Sequence, residues 1–175
     1  TPKPSSAASD VYKRQRYNSA QMEDPLMWGM VDMSAYTVRK RYERLWLRVL
    51  DPVAALSARH YTSHRKVRMS VVDSMGFADG IYEIDTTGDA PRVERVADRP
   101  RTQDDLAGKS MPAVELPDGA DVALNVDSLG SLYLGAVKAS TLHYAGLLRV
   151  RDDAALRDIQ ALMSTPTHPY CISPF

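Results

Sequence analysis

The sequence predicts an α+β fold on a mostly antiparallel sheet of about five strands. Three observations lead there. Strand-like and helix-like segments are segregated rather than strictly alternating. Two alternating runs flank a glycine-punctuated turn at 74–80, the pattern of a hairpin with a longish loop. The 175 residues are 44% hydrophobic and 25% charged, enough to bury a sizeable core and unlike a disordered chain.

Residues 1–15 read as a non-native or disordered leader. Thr1 to Ser9 is small, polar and broken by proline, and Asp10-Val11-Tyr12-Lys13-Arg14-Gln15 resembles a translated sequencing adapter. With no initiating Met, the expectation is that native sequence begins near Arg16 and that a preceding part of the protein is missing. In 16–44, Leu26 to Met33 is apolar enough for a buried strand or an interface segment. Tyr36 to Arg44 is basic with interleaved tyrosines and reads as a linker or inter-domain face.

From Leu45 the signals become regular. Leu45 to Leu50 is rich in strand formers. Asp51-Pro52 starts a helix, with Asp51 as N-cap, that is expected to fray by Tyr61. Strands follow at 67–73, 81–85 and 93–96, then a polar insertion at 97–119 that reads as an exposed loop. Asp121 to Asp127 is a fourth strand, after which Asp127 caps a short helix stopped by Gly135. A helix at about 140–145 precedes a fifth strand at 147–151. Asp152 or Asp153 caps the last helix, whose Leu156, Ile159, Gln160, Leu162 and Met163 share one face, and Pro166 stops it.

Charge and motifs exclude several functions. Lys+Arg and Asp+Glu are both 22, which removes a chain-wide electrostatic case for nucleic acid. Residues 1–70 hold 13 basic and 6 acidic residues, a net +7, and 71–175 hold 9 and 16, a net −7. Surfaces of opposite sign suit docking between the two parts, or are simply solvated. No apolar run is long enough to span a membrane. The single cysteine, Cys171, forms no disulfide within the chain, and a cytoplasmic location is expected. His60 and His64 have the i, i+4 spacing of a zinc pair, but lack the adjacent Glu and further ligands, so no metal is expected. His168 and Cys171 lie in a proline-rich tail that enforces no nucleophile geometry. His143, Asp104-Asp105 and Asp152-Asp153 read as ordinary surface, core or cap residues. No glycine-rich phosphate loop or G-x-S-x-G is present.

Three stretches carry a family resemblance: LWLRVLDPVAALSARHY at 45–61, DVALNVDSLGSLYLG at 121–135, and the aromatic terminus at Phe175. The loop from Gly76 to Tyr82 adds to the set. Residues 45–175 resemble the C-terminal domain of Eis (enhanced intracellular survival) acetyltransferases, a branch of the GNAT N-acetyltransferases. The resemblance implies a sterol carrier protein-like fold with helices on one face of the sheet. It makes 16–44 the remnant of a preceding GNAT-like domain, with Trp28, Met30, Met33 and Tyr36 awaiting that partner. The missing N-terminal GNAT domains would hold acetyl-CoA, the cosubstrate of the full-length enzyme, and this part would hold no cofactor. An amine acceptor and a homo-oligomer, a hexamer in that family, are also implied, with no nucleic acid and no membrane. The α-carboxylate of Phe175 is implied as general base. Pro174 departs from relatives that carry an acidic residue there. The sterol carrier fold raises one alternative, a lipid-carrying module whose pocket is lined by Leu124, Val126, Leu132, Leu134, Leu142 and Met163.

Overall fold

The structure, a computed structural model, describes residue 20 and residues 24–40, 45–99 and 114–170. The chain forms two units, residues 1–42 with 170–175 and residues 43–169.

Among its described residues the first unit shows two short turns of helix. Helix α1 (Pro25–Trp28) starts at Asp24, whose carboxylate accepts the Leu26 N–H at 2.9 Å. A 3₁₀ turn (Met33–Ala35) starts at Asp32, which accepts the Ser34 hydroxyl and its N–H. Those bonds hold the Asp32 carboxyl below its usual range. The strand reading of 26–33 is therefore corrected, because two aspartate-capped turns and Gly29 break the run. No residue of 24–40 is buried, and Trp28 is 70% exposed.

The second unit is built on a five-stranded sheet. Helix α2 (Pro52–Ser57) begins at Asp51, whose side chain accepts the Ala54 N–H at 3.0 Å, with Pro52 at the first helical position. Strands β1 (Lys66–Val72), β2 (Gly80–Asp85) and β3 (Arg92–Ala97) form an antiparallel meander. Strand β4 (Val122–Asn125) pairs parallel to β1, and β5 (Leu148–Val150) pairs antiparallel to β4. The order is β3-β2-β1-β4-β5. Helices α3 (Val126–Tyr133), α4 (Ala139–Tyr144) and α5 (Asp153–Met163) follow among the described residues.

Period-two alternation decides which face is the core. Val67, Met69 and Val71 of β1 lie opposite Ile84, Tyr82 and Gly80 of β2, and all of these but the glycine contribute apolar side chains to the main core. Across β4 the same face continues through Val122 and Leu124 to Leu148. Helices α2, α3 and α5 pack against the sheet, and the core lies between the two layers. On the other face, Val114 and Leu116 pack on Val72 and Ala123. The loop expected at 97–119 thus includes a covering segment at 114–116, and residues 100–113 lie outside the described residues. Further along that face, Glu83 meets Lys66 at 2.6 Å and Arg68 at 2.8 Å. There, basic residues of the first 70 pair with acidic residues that follow them.

Two expectations are corrected by packing. Leu45 to Leu50 is extended but pairs with no strand. It crosses α3 so closely that a Cβ built on Gly130 would overlap the Leu47 carbonyl oxygen. Helix α3 starts at Val126, with Asn125 rather than Asp127 as N-cap, because Val126, Leu129 and Leu132 all enter the core. Asp127 sits in the first turn, where a negative charge favours the helix dipole.

The close approach at Gly130 sets a testable cost. Gly→Ala inside a helix ordinarily stabilises by roughly 0.5–1 kcal/mol. At Gly130 we expect the reverse, a loss of about 1–3 kcal/mol, because the added methyl must displace backbone rather than a flexible side chain. A urea midpoint equal to or above wild type would refute this.

Candidate functional site

The segment from α2 to β1 and the end of α5 meet around one guanidinium. Arg59 follows α2, which ends at Ser57 rather than running on to Tyr61. Its Nε donates to the Tyr133 carbonyl at 3.0 Å, Nη1 to the Leu162 carbonyl at 2.8 Å and Nη2 to the Met163 carbonyl at 2.7 Å. The Tyr61 ring lies 5.1 Å from the guanidinium carbon. Burial pushes the Arg59 pKa down, against the pull of Tyr61 and Tyr133. Burial pushes Tyr61 up to about 12, so its hydroxyl stays protonated and donates to the Leu56 carbonyl at 2.7 Å. The Tyr133 hydroxyl donates to the Ala55 carbonyl at 2.9 Å, tying α3 to α2.

The chain leaving α5 is seated beside this cluster. Asp152 caps the helix by accepting the Ala155 N–H at 2.8 Å. At the other end Ser164 turns extended. The Thr165 side chain occupies the space over Gly135, whose φ of +77° suits only a residue without Cβ. The Thr165 hydroxyl donates to the Thr167 carbonyl at 3.0 Å.

A second polar cluster organises the turn between β1 and β2. Asp73 is 2% exposed. Its carboxylate accepts the Met75 N–H at 3.0 Å, the Ala78 N–H at 2.9 Å and a guanidinium N–H of Arg48. Its own N–H donates to Asp79 at 2.9 Å. Burial is the largest single influence on the Asp73 carboxyl and raises its pKa. The Ala78 and Met75 N–H groups and Arg48 together outweigh it and hold the group below its usual range. Arg48 also reaches to 3.6 Å from Asp127, so this one side chain links segment 45–50, the turn and α3.

The residues singled out from sequence are dispersed. Phe175, Cys171, Asp104 and Asp105 lie outside the described residues. His60 and His64 fall beyond α2, so the helical i, i+4 face is not formed. His64 Nδ1 instead lies 2.9 Å from the Thr86 carbonyl. His143 Nδ1 lies 3.1 Å from the Leu148 carbonyl, and His168 is partly buried. Leu124, Val126, Leu132, Leu142 and Met163, considered as pocket lining, are buried together in the core, whereas Leu134 is 37% exposed. No described helix is long and apolar enough to cross a membrane. Sequence reasoning missed Arg59, Tyr61, Tyr133 and the Arg48–Asp73 pair. The only trace of Arg59 was its place at the end of the 45–61 stretch.

Comparison with known proteins converges on one domain type. The sterol carrier protein domain family matches residues 52–172. An uncharacterized N-acetyltransferase of Streptomyces avermitilis is 30% identical over 85% of this chain and 31% of its own length. The N-acetyltransferase Eis of Mycobacterium tuberculosis is 30% identical over 82% of this chain and 30% of its own length. The chain thus spans about a third of the curated relatives it matches. The crystal structure of Eis1 from Mycobacterium abscessus superposes with a TM-score of 0.67 at 29% identity, over 88% of this chain and 34% of that one. A GCN5-related N-acetyltransferase from Anabaena variabilis shares the fold at 14% identity, with a TM-score of 0.59 over 85% of this chain and 33% of that one. The chain belongs to the sterol carrier protein domain family, in the form found in Eis-like N-acetyltransferases.

Proposed function

We propose that this chain is the C-terminal fragment of an Eis-like N-acetyltransferase that transfers acetyl from acetyl-CoA to an amine of the aminoglycoside, polyamine or lysine type. Its part in that reaction is to carry the α-carboxylate of Phe175 to the acceptor amine as general base. The observation that carries the reading is the similarity to Eis over 82% of this chain but only 30% of the enzyme. The GNAT domains, with the acetyl-CoA site and the general acid, belong to the remainder. Assembly as a homo-oligomer, a hexamer on the family pattern, belongs to the same reading.

The chemistry suits a terminal carboxylate. An amine attacks the thioester carbonyl through its lone pair, so a C–N bond forms, and the C–S bond breaks with its electron pair going to coenzyme A, which leaves as a thiolate that the general acid protonates. The amine nitrogen must give up a proton, and a positioned carboxylate accepts it directly or through one water. A free α-carboxylate, with a pKa of about 3.3–3.7, is a weak base in water. Desolvation against an aromatic ring and nearby negative charge raise its basicity. Phe175 supplies the ring beside its own carboxylate.

The reading predicts that the 175-residue chain alone neither binds acetyl-CoA nor transfers acetyl. Its sequence holds no glycine-rich run of the kind that offers N–H groups to a pyrophosphate. Calorimetric titration with acetyl-CoA should give only heats of dilution. A saturable heat, or acetylation of an amine by the isolated chain, would overturn the assignment of the cosubstrate site to the remainder of the enzyme.

A further inference from the structure

We propose that Arg59 is a positioning residue for the C-terminal tail. It joins the C-terminal ends of α3 and α5 and so fixes where, and in which direction, the tail leaves the domain. Its catalytic consequence rests on the reading of Phe175 as the base. The anchoring itself does not.

The bonding pattern carries the argument. The last four carbonyls of a helix lack intrahelical partners and gather partial negative charge. Tyr133 ends α3, and Leu162 and Met163 end α5. Arg59 bonds these three carbonyls with three different nitrogens, each at 3.0 Å or less. This uses the planar fork of a guanidinium, which a lysine ammonium does not reproduce. Tyr61 packs against its face. A half-buried cation is thus matched to the carbonyl dipoles of two helix ends.

The tail begins where that clamp acts. Met163, whose carbonyl Arg59 holds, is the last helical residue, and Ser164 is already extended. Thr165 then packs over Gly135, two residues beyond the Tyr133 carbonyl held by the same guanidinium. The tail root is thus held at Met163 by Arg59 and at Thr165 by its packing over Gly135. The eight residues 168–175 lead from Thr167 to Phe175. Fully extended they reach at most about 28 Å. With so short a tether, the place and angle of the root decide whether the terminal charge arrives. Displacements of about 1 Å at a reacting group can lower rates by about 10²-fold.

The test has two arms. In the 175-residue chain, ¹⁵N relaxation of the Ser164, Thr165 and Thr167 amides is compared between wild type, Arg59→Lys and Arg59→Ala. We expect order parameters near about 0.85 in wild type and below about 0.6 in both variants, with β1 and β4 amides unchanged. Arg59→Lys keeps charge and stem, so it decides the matter if Arg59→Ala fails to fold. Wild-type order parameters in a folded Arg59→Lys protein would overturn the proposal. In the full-length acetyltransferase, Arg59→Lys should lower kcat about tenfold with KM for acetyl-CoA unchanged. The effect should vanish once the terminus is amidated. A root that loosens while amidation leaves activity intact would remove the base reading and leave the anchoring standing. Unchanged kcat in Arg59→Lys, in an enzyme that amidation does inactivate, would overturn the positioning role.

Discussion

Asp73→Ala is expected to destabilise the domain by about 3 kcal/mol, with a fall in Tm of roughly 10 °C. The substitution removes the acceptor of the Met75 and Ala78 N–H groups in the turn between β1 and β2. An orphaned buried donor costs about 1–3 kcal/mol, which applies in full to the Ala78 N–H and in part to the partly buried Met75 N–H. Arg48 also loses a partner, but it is one-third exposed and stays near Asp127, so its share is small. Asp73→Asn keeps one acceptor and should cost less. The pH dependence has a definite sign. The folded carboxyl is held below its unfolded value, so its contribution is complete above about pH 4 and fades as pH falls through the folded value. The stability gap between wild type and Asp73→Asn, from urea midpoints, should be widest near neutrality and narrow below pH 4. A constant gap from pH 7 to 3, or a neutral Asp73→Ala, would show that the turn is held by something else.

What could be read from sequence followed the range of each interaction. The hairpin was legible because Val67, Met69 and Val71 alternate with polar residues, and Tyr82 and Ile84 do the same in β2. The caps at Asp51 and Asp152 were legible because donor and acceptor lie three residues apart. Segment 45–50 misled because its strand formers say nothing of Gly130, some eighty residues away, over which it crosses. Asp127 misled for a related reason. Its capping chemistry is good, but burial of Val126 starts the helix earlier.

The tail root was hidden more deeply. Arg59 bonds carbonyls 74, 103 and 104 residues away. A carbonyl belongs to every residue, so no residue type at positions 133, 162 or 163 advertises the contact. A carboxylate partner leaves a letter in the sequence, and a helix end leaves only a position. The Asp73 turn lies between these cases. Its bonds to Met75 and Ala78 are local, whereas Arg48 stands 25 residues upstream. The role of Phe175 came from resemblance alone, and that residue lies outside the described residues.

Amidating the terminal carboxylate of Phe175 in the full-length acetyltransferase should lower kcat/KM by about 10²–10⁴-fold, the usual worth of a positioned proton acceptor. Amidation removes one charge with almost no change in shape, so the Phe175 ring is retained and only the base is lost. Deleting Phe175, or appending a few residues to it, should have an effect of the same order by removing or displacing the charge. Stability should barely change in any of these proteins, because the main core is built from side chains between Val49 and Met163. The pH profile separates a base from a binding contact. In wild type the acidic limb of kcat/KM reports protonation of the carboxylate in the free enzyme, and in the amidated protein that limb should disappear while the alkaline limb remains. A uniform drop with the acidic limb intact would mean that the tail only positions substrate. Full activity at neutral pH after amidation would mean that another group takes the proton.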